Sequence, residues 1–167
     1  MSGGERPALI ATRWGAWLDG ARLPCAIGRG GMTDDKREGD GASPRGFHRI
    51  AGLLYRADRV VRPAPWAQAI GPGDLWSDDG RDPEYNHAVR APHGFGHERL
   101  HRADRLYDIV LLTNWNWPDA VPGRGSAIFL HRWRKPRHPT EGCIAFRPDH
   151  LLRVAARLHP GALIEIR

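Results

Sequence analysis

Short apolar runs separated by turn residues dominate the hydrophobic pattern of this sequence. Apolar residues cluster at 8–14 and 16–18, and Asp19-Gly20 then marks a hairpin turn. The return strand is predicted at 22–27, and a glycine-rich turn follows it. The beginning of the chain is therefore predicted to be β-structure.

Two apolar runs predict strands in the core of the protein, at 106–113 and at 126–131, and a final strand is predicted at 163–166. Residues 47–61 are predicted to form a strand pair, whose expected buried positions are Phe47, Ile50, Leu53, Leu54 and Tyr55. The segment 63–105 is rich in Pro, Gly, Asp and His and predicts an irregular region. Its aromatic residues indicate that this region is ordered, since they supply apolar surface to bury.

One helix is predicted, at 148–158, with Asp149 favourable in its first turn and Gly161 ending it. The residues assigned to its buried face are Leu151, Leu152, Ala155 and Leu158. No repeat or linker is visible, so residues 1–167 are predicted to form a single domain. The expected fold is mainly β, a β-sandwich or open barrel-like domain with this one main helix.

Composition adds a positive charge to this picture. The formal net charge is +6, and the densest basic cluster lies at 131–138. Such a charge favours anionic partners. The cluster fits a solvated basic loop or a groove for an anionic substrate, and both interpretations stay open.

The chain shows no apolar run of the about 18 residues that span a membrane, so no stable membrane insertion is expected. Its first residues lack the charged start and apolar stretch of a signal peptide. There are two cysteines, too few for a disulfide framework. Cys25 lies in an apolar strand and is interpreted as a small core residue, although pairing with Cys143 is left open.

A cysteine and a histidine form the most reactive combination in the sequence. Cys143 follows Gly142 and is predicted to lie at a strand–helix turn, while His131 ends the strand before it. A thiol becomes a good nucleophile when a base removes its proton, and imidazole is a suitable base. Backbone amides at Gly142 and Cys143 are candidates for binding an oxyanion. Spacing alone also fits a buried, unreactive cysteine.

Residues 123–153 resemble the L,D-transpeptidase (YkuD-type) catalytic domain family, in which an upstream histidine precedes a Ser/Thr-His-Gly-Cys motif. The matching run here is Thr140-Glu141-Gly142-Cys143, with His131 twelve residues upstream. A second run, Lys-x-Glu-Gly-Asp-Gly-x-Ser-Pro-x-Gly-Phe at 36–47, resembles the family's turn before its second β-pair. Together the two motifs bracket nearly the whole chain.

The resemblance implies a ping-pong acyl transfer on peptidoglycan stem peptides. Cys143 would form a thioester at meso-diaminopimelate or a neighbouring residue of a donor stem, and an amine of a second stem would resolve it. The product would be a 3-3 or a 1-3 type cross-link. The catalytic residues implied are Cys143, His131 and Gly142. No metal or organic cofactor is implied, and the location implied is the periplasm or cell envelope of a bacterium.

The sequence resembles a divergent subgroup of that family. Glu141 stands where the family has histidine, and Ala145 stands where an arginine usually follows the cysteine. A cationic partner for substrate carboxylates must then come from elsewhere, and the candidates are Arg134 and Arg147. The full set of predicted substrate-binding residues is Thr140, Glu141, Arg134, Arg147, Ser126, Tyr85, Asn86 and His97. The last three come from two segments of the irregular region, Tyr85-Asn86 and His97-Glu98-Arg99, which are predicted to line the cleft.

Three alternatives remain at this point. A cysteine L,D-carboxypeptidase or other cell-wall hydrolase would share the acyl-enzyme and differ only in using water. A basic nucleic-acid-binding β-domain fits the charge and the seven tryptophans, but several of these stand beside proline in predicted loops instead of on neighbouring strands. A metal site is disfavoured, because the histidine spacing matches no known ligand motif. No nucleic-acid partner is therefore expected, and the sequence leaves the oligomeric state open.

Overall fold

The computed structural model describes residues 4–167, so residues 1–3 of the predicted single domain lie outside the described residues. Fifteen strands and one α-helix are described. In chain order they are β1 (Leu9–Thr12), β2 (Gly15–Leu18), β3 (Ala21–Leu23), β4 (Cys25–Ala26), β5 (Met32–Thr33), β6 (Ser43–Pro44), β7 (Gly46–Tyr55), β8 (Gln68–Ala69), β9 (Asp74–Ser77), β10 (Ala88–Arg90), β11 (His97–Arg99), β12 (Ile109–Thr113), β13 (Phe129–Arg132), β14 (Ile144–Phe146), α1 (Pro148–Arg157) and β15 (Leu163–Ile166).

Ten strands form one large sheet in the order β3-β2-β1-β15-β7-β12-β13-β14-β4, with β8 added beside β7. The two ends of this order, β3 and β4, are separated in the chain by Pro24 alone. The sheet must therefore curl until its ends approach, which gives a nearly closed barrel. The predicted fold class, mainly β and barrel-like with one helix, is confirmed.

The longest strand, β7, corrects one prediction. Residues 47–61 do not form a strand pair, because β7 runs unbroken to Tyr55 and pairs with β15 and β12 on its two sides. Burial alternates along β7 up to Ile50, and after a register shift opposite Leu112 and Thr113 it alternates again from Leu53. Phe47, predicted as buried, lies on the outward side and is 63% exposed.

The central segment 63–105 is more regular than predicted. It contributes β8 to the large sheet and forms a separate three-stranded sheet in the order β10-β9-β11. These strands have two to four residues each, which is too short to produce a periodic signal in the sequence.

The helix α1 packs on β12, β13 and β14. Proline in its first turn and Asp149 nearby favour its start. Leu151, Val154 and Ala155 form its buried face, whereas Leu152 is 48% exposed and was wrongly assigned to that face. Within residues 4–167, no helix has both the length and the apolar character needed to cross a membrane.

Candidate active site

The strand pair β13 and β14 brings the cysteine and the histidine together. The two strands are parallel, with Leu130 opposite Ile144 and His131 opposite Ala145. Continuing this register by one residue places Cys143 beside Phe129. Since alternate residues share a face of a sheet, His131 and Cys143 lie on the same face, two positions apart. Cys143 therefore leads into β14 and not directly into the helix, which corrects the predicted strand–helix turn.

The loop before Cys143 is held from inside by Thr140. Its hydroxyl donates to the carbonyl oxygen of Cys143 at 2.6 Å and accepts from the amide of Gly142 at 3.1 Å. Gly142 has φ +136°, and a Cβ there would lie 2.8 Å from the carbonyl oxygen of Ala42. Only glycine fits this conformation and this close approach. The Gly142 amide is thus already occupied, contrary to the expectation that it faces an oxyanion.

The sulfur of Cys143 is buried between two backbone groups. Its thiol donates to the carbonyl oxygen of Ala127 at 3.1 Å, and the amide of Phe129 donates to the sulfur at 3.4 Å. Burial raises the pKa of the Cys143 thiol to about 12. The thiol of Cys143 is therefore protonated at pH 7, and any reaction of its sulfur as a nucleophile requires that the proton be removed.

The imidazole of His131 is fixed in one tautomer. Its Nδ1 lies 2.7 Å from the carbonyl oxygen of Arg132, which can only accept, so Nδ1 carries the proton. Burial lowers the pKa of His131 to about 4, which keeps the ring neutral at pH 7. Nε2 is then the nitrogen with a free lone pair. Among residues 4–167, no hydrogen bond joins this ring to the thiol of Cys143. The thiol donates its hydrogen bond to the carbonyl oxygen of Ala127 instead.

Both residues line one cleft of about 480 Å³. One wall is the loop around Lys36, Glu38 and Gly39, and a second consists of Asp78 and Glu98 from the three-stranded sheet. The third wall comes from the basic segment after β13, including Trp133, Arg134 and His138. A cavity of this size is in the range that holds small ligands or a short peptide segment.

The cleft has an acidic side as well as a basic side. Burial raises the pKa of Glu98 to about 7, with smaller contributions from the charges of Asp78 and Glu38 and against the lowering effects of the Tyr107 hydrogen bond and of Arg102. Burial, followed by the charge of Glu38, also raises the pKa of Asp78. Lys36 lies buried beneath this side and forms an ion pair with Asp40. Glu98 belongs to a segment predicted to line the cleft, but the grouping of Glu98 with Asp78 and Glu38 was not predicted, because the three residues are dispersed along the chain.

Four of the predicted substrate-binding residues line the cleft: Thr140, Glu141, Arg134 and Ser126. Arg134 is exposed and has no ion-pair partner among residues 4–167, so its guanidinium is available to a ligand. Glu141 forms an ion pair with Arg29 at 2.9 Å. Ser126 donates to Glu38 at 2.8 Å.

The other four do not line it. Tyr85 is buried and donates to Glu38 at 2.5 Å, so its hydroxyl is already used within the protein. On the short strand β11 the side chains alternate, and Glu98 faces the cleft whereas His97 is exposed elsewhere. Arg147 forms an ion pair with Asp149 beside the helix at 2.7 Å.

Asn86 is the fourth, and it supports the cleft from behind. Its side-chain oxygen accepts from the amide of Ala127 at 3.0 Å and from the indole of Trp76 at 3.0 Å. Its side-chain nitrogen donates to the carbonyl oxygens of Trp115 and Asn116. Asn86 therefore fixes the residue whose carbonyl holds the thiol of Cys143.

Tyr107 is the cleft residue that the sequence interpretation missed most clearly. It was assigned to a core strand, and it is indeed buried, but its ring lies 5.5 Å from that of His131. Its position just before β12 was the available signal, since residues at strand ends often border functional sites.

Cys25 is buried in β4, and both cysteines are free thiols. Burial raises the pKa of Cys25 to about 11. The Nε2 of His93 donates to the carboxylate of Asp82 at 2.6 Å. Within residues 4–167, no group of three or more His, Cys, Asp or Glu side chains is arranged to hold a metal ion.

Comparison with known proteins gives one family. The model of the YkuD family, the L,D-transpeptidase catalytic domain, matches residues 13–166. Among solved structures, an L,D-transpeptidase from Mycobacterium smegmatis is similar over 96% of this chain and 59% of that chain, with 14% identity and a TM-score of 0.43. The chain thus spans less than two thirds of that protein's length. No curated protein sequence matches the chain.

Proposed function

Because the chain belongs to the L,D-transpeptidase catalytic domain family, we propose that it is a peptidoglycan L,D-transpeptidase that uses Cys143 as nucleophile and His131 as general base. The observation that carries this proposal is the fixed tautomer of His131. A neutral imidazole with Nδ1 held by a backbone carbonyl has one basic nitrogen left, and it lines the same cleft as the thiol.

In the first half-reaction, Nε2 of His131 takes the proton of Cys143 while the sulfur attacks a carbonyl carbon of the donor stem at meso-diaminopimelate. The C–N bond to the next residue breaks, and the leaving nitrogen takes the proton from His131. A thioester remains on Cys143, and His131 is neutral again. General-base assistance is required here because burial keeps the thiol protonated at pH 7.

In the second half-reaction, the amine of an acceptor stem attacks the thioester carbon. His131 removes a proton from that amine and returns it to the departing sulfur, which restores the thiol. A new amide bond joins the two stems, so atoms and charge balance over the cycle. A water molecule in place of the amine would give hydrolysis, and therefore a carboxypeptidase.

Substrate binding is assigned to the charged walls of the cleft. Stem peptides carry free carboxylates, and Arg134, which has no ion-pair partner among the described residues 4–167, lines that cleft together with His138. Arg134 is therefore the better candidate for the arginine that is absent after Cys143, and Arg147 is not. A peptidoglycan substrate places the reaction in the bacterial cell envelope.

The test is the intact mass of the protein during reaction with a defined tetrapeptide stem that contains meso-diaminopimelate. We expect an adduct of the donor minus its last residue, on Cys143 in peptide mapping, which disappears when an acceptor stem is added. The Cys143→Ala variant is the matched control and should carry no adduct. If the wild-type protein forms no adduct with donor stems of any length tested, the proposal is refuted.

Product analysis then separates transfer from hydrolysis. With an acceptor amine present, a transpeptidase gives cross-linked dimers, and their fragmentation distinguishes 3-3 from 1-3 linkage. A shortened monomer as the only product, with and without acceptor, would assign the protein as an L,D-carboxypeptidase.

A further inference from the structure

Glu98 has a place in the cleft that the proposed chemistry does not use. It is the central residue of β11 in the three-stranded sheet, and its two neighbours on the strand, His97 and Arg99, point outward and are exposed. Glu98 itself is half-buried and lines the cleft together with His131 and Cys143.

A single tyrosine connects Glu98 to the histidine. The hydroxyl of Tyr107 donates to the two carboxylate oxygens of Glu98, at 3.1 and 3.2 Å. The ring of Tyr107 meets that of His131 edge-on, with centroids 5.5 Å apart and planes at 66°. The carboxylate, the phenol and the imidazole therefore form one continuous chain of contacts.

Tyr107 is held on its other sides by packing. Its ring lies edge-on to Phe129 at 6.0 Å, and the guanidinium of Arg102 lies 5.2 Å from its centroid. Tyr107 is buried, so its hydroxyl needs a partner, and Glu98 supplies it. Loss of the carboxylate would leave that hydroxyl unsatisfied and free the ring to move.

We propose that Glu98 is a positioning residue for the general base: by accepting the hydrogen bond of Tyr107, it holds the phenol ring against the imidazole of His131. This inference rests on the proposed function. The backbone bond at Nδ1 fixes which nitrogen of His131 is basic, but one hydrogen bond still permits the ring to pivot about it. The contact with the ring of Tyr107 removes that freedom, so Nε2 keeps the direction needed for proton transfer.

The contact also joins two parts of the fold that are otherwise separate sheets. Glu98 belongs to the three-stranded sheet, whereas His131 belongs to β13 of the large sheet. The cleft wall that contains Glu98 is thereby kept at a fixed distance and orientation relative to the base His131. A substrate that binds against the three-stranded sheet would then meet a base that is already oriented.

The experiment measures the single-turnover rate of acyl-enzyme formation at saturating donor stem, by intact mass. Glu98→Ala and Tyr107→Phe should each lower this rate by about 10-fold, with the donor concentration for half-saturation within about 2-fold of wild type. Glu98→Gln should stay within about 3-fold of wild type, because its side-chain oxygen still accepts from Tyr107.

A second set of variants, built on His131→Ala, distinguishes positioning of His131 from a general structural role. The His131→Ala protein has no base to orient, so adding Tyr107→Phe or Glu98→Ala should change its residual rate by less than about 2-fold. A merely structural contact would cost the same factor in both backgrounds, and that result would overturn the inference. Unchanged acylation by Tyr107→Phe in the wild-type background would also overturn it.

Failure of this inference differs from failure of the proposed function. If the wild-type protein forms no acyl-enzyme, both fall together. If it does form one and the Glu98 and Tyr107 variants match it, only the positioning role is wrong. Should Glu98→Ala fail to fold, Tyr107→Phe keeps the aromatic ring and decides the question alone.

Discussion

The hydroxyl of Ser43 donates to the carbonyl oxygen of Gly142 at 2.7 Å, although 99 positions separate the two residues. The same hydroxyl accepts from the amide of Gly28 at 2.9 Å, and Ser43 is fully buried. The two motifs that suggested the family from sequence are thus in direct contact. The first motif supports the loop that presents Cys143.

Replacing Ser43 tests this support. Ser43→Ala leaves two buried backbone groups without a partner, at about 1–3 kcal/mol in the free energy of unfolding. Urea denaturation should show this loss together with slower acylation. Ser126→Ala loses a hydrogen bond nearer the solvent and should cost less than about 0.5 kcal/mol. Equal stabilities for the two variants would contradict the supporting role of Ser43.

The thiols should label slowly in the native protein. Burial raises the pKa of Cys143 to about 12 and that of Cys25 to about 11, so both are protonated at pH 7. We expect alkylation by iodoacetamide at pH 7 to be at least about 100-fold slower than that of a free thiol, whose pKa is about 8.5. The rate should rise as the pH increases. Rapid labelling of Cys143 at pH 7 would instead indicate a preformed thiolate.

The two cleft histidines should differ in their effect on catalysis. His131→Ala removes the proposed general base and should slow acylation by at least about 10²-fold, with little change in donor affinity. His138→Ala should stay within a few-fold of wild type, because His138 lies in the exposed segment after β13. Quenched single-turnover reactions give the acylation rates of both variants. If the two outcomes are exchanged, His138 is the base.

His131 should also make stability depend on pH. Its pKa of about 4 in the folded protein is below the ordinary value of 6.5, so between these values the unfolded chain binds the extra proton. Stability from this group is full above pH 6.5 and is lost as the pH falls toward 4. Between pH 7 and 4.5 the wild type should lose about 2–3 kcal/mol more than His131→Ala in urea denaturation. An identical pH dependence in both proteins would contradict the buried neutral imidazole.

Arg134 and Arg147 provide a matched pair for substrate recognition. Arg134→Gln should raise the donor concentration for half-saturation by about 10-fold, since it removes a charged hydrogen bond to a carboxylate. Arg147→Gln should leave it unchanged, because Arg147 pairs with Asp149 outside the cleft. Thermal unfolding should shift little for either variant, as both residues are exposed. If Arg147→Gln raises the donor concentration for half-saturation more than Arg134→Gln does, Arg147 is the residue that binds the substrate carboxylate.

Local patterns in the sequence determined the elements whose signal is carried within one segment. Alternating and continuous apolar runs predicted β12, β13 and β15, and 3.6-residue spacing predicted α1, because each of these buries one face against the core. The mainly β class followed from the same patterns. The motif around Cys143 indicated the family, and the match over residues 13–166 confirms it.

Only the tertiary structure decided which side chains meet in the cleft. The parallel register of β13 and β14 sets His131 and Cys143 on one face, and alternation along β11 turns Glu98 inward and His97 outward. Register depends on hydrogen bonds between strands that are distant in sequence, and shifting it by one residue would reverse every side chain. No local pattern contains that information, so the roles of Asn86, Tyr107 and Glu98 became visible only once the strands were paired.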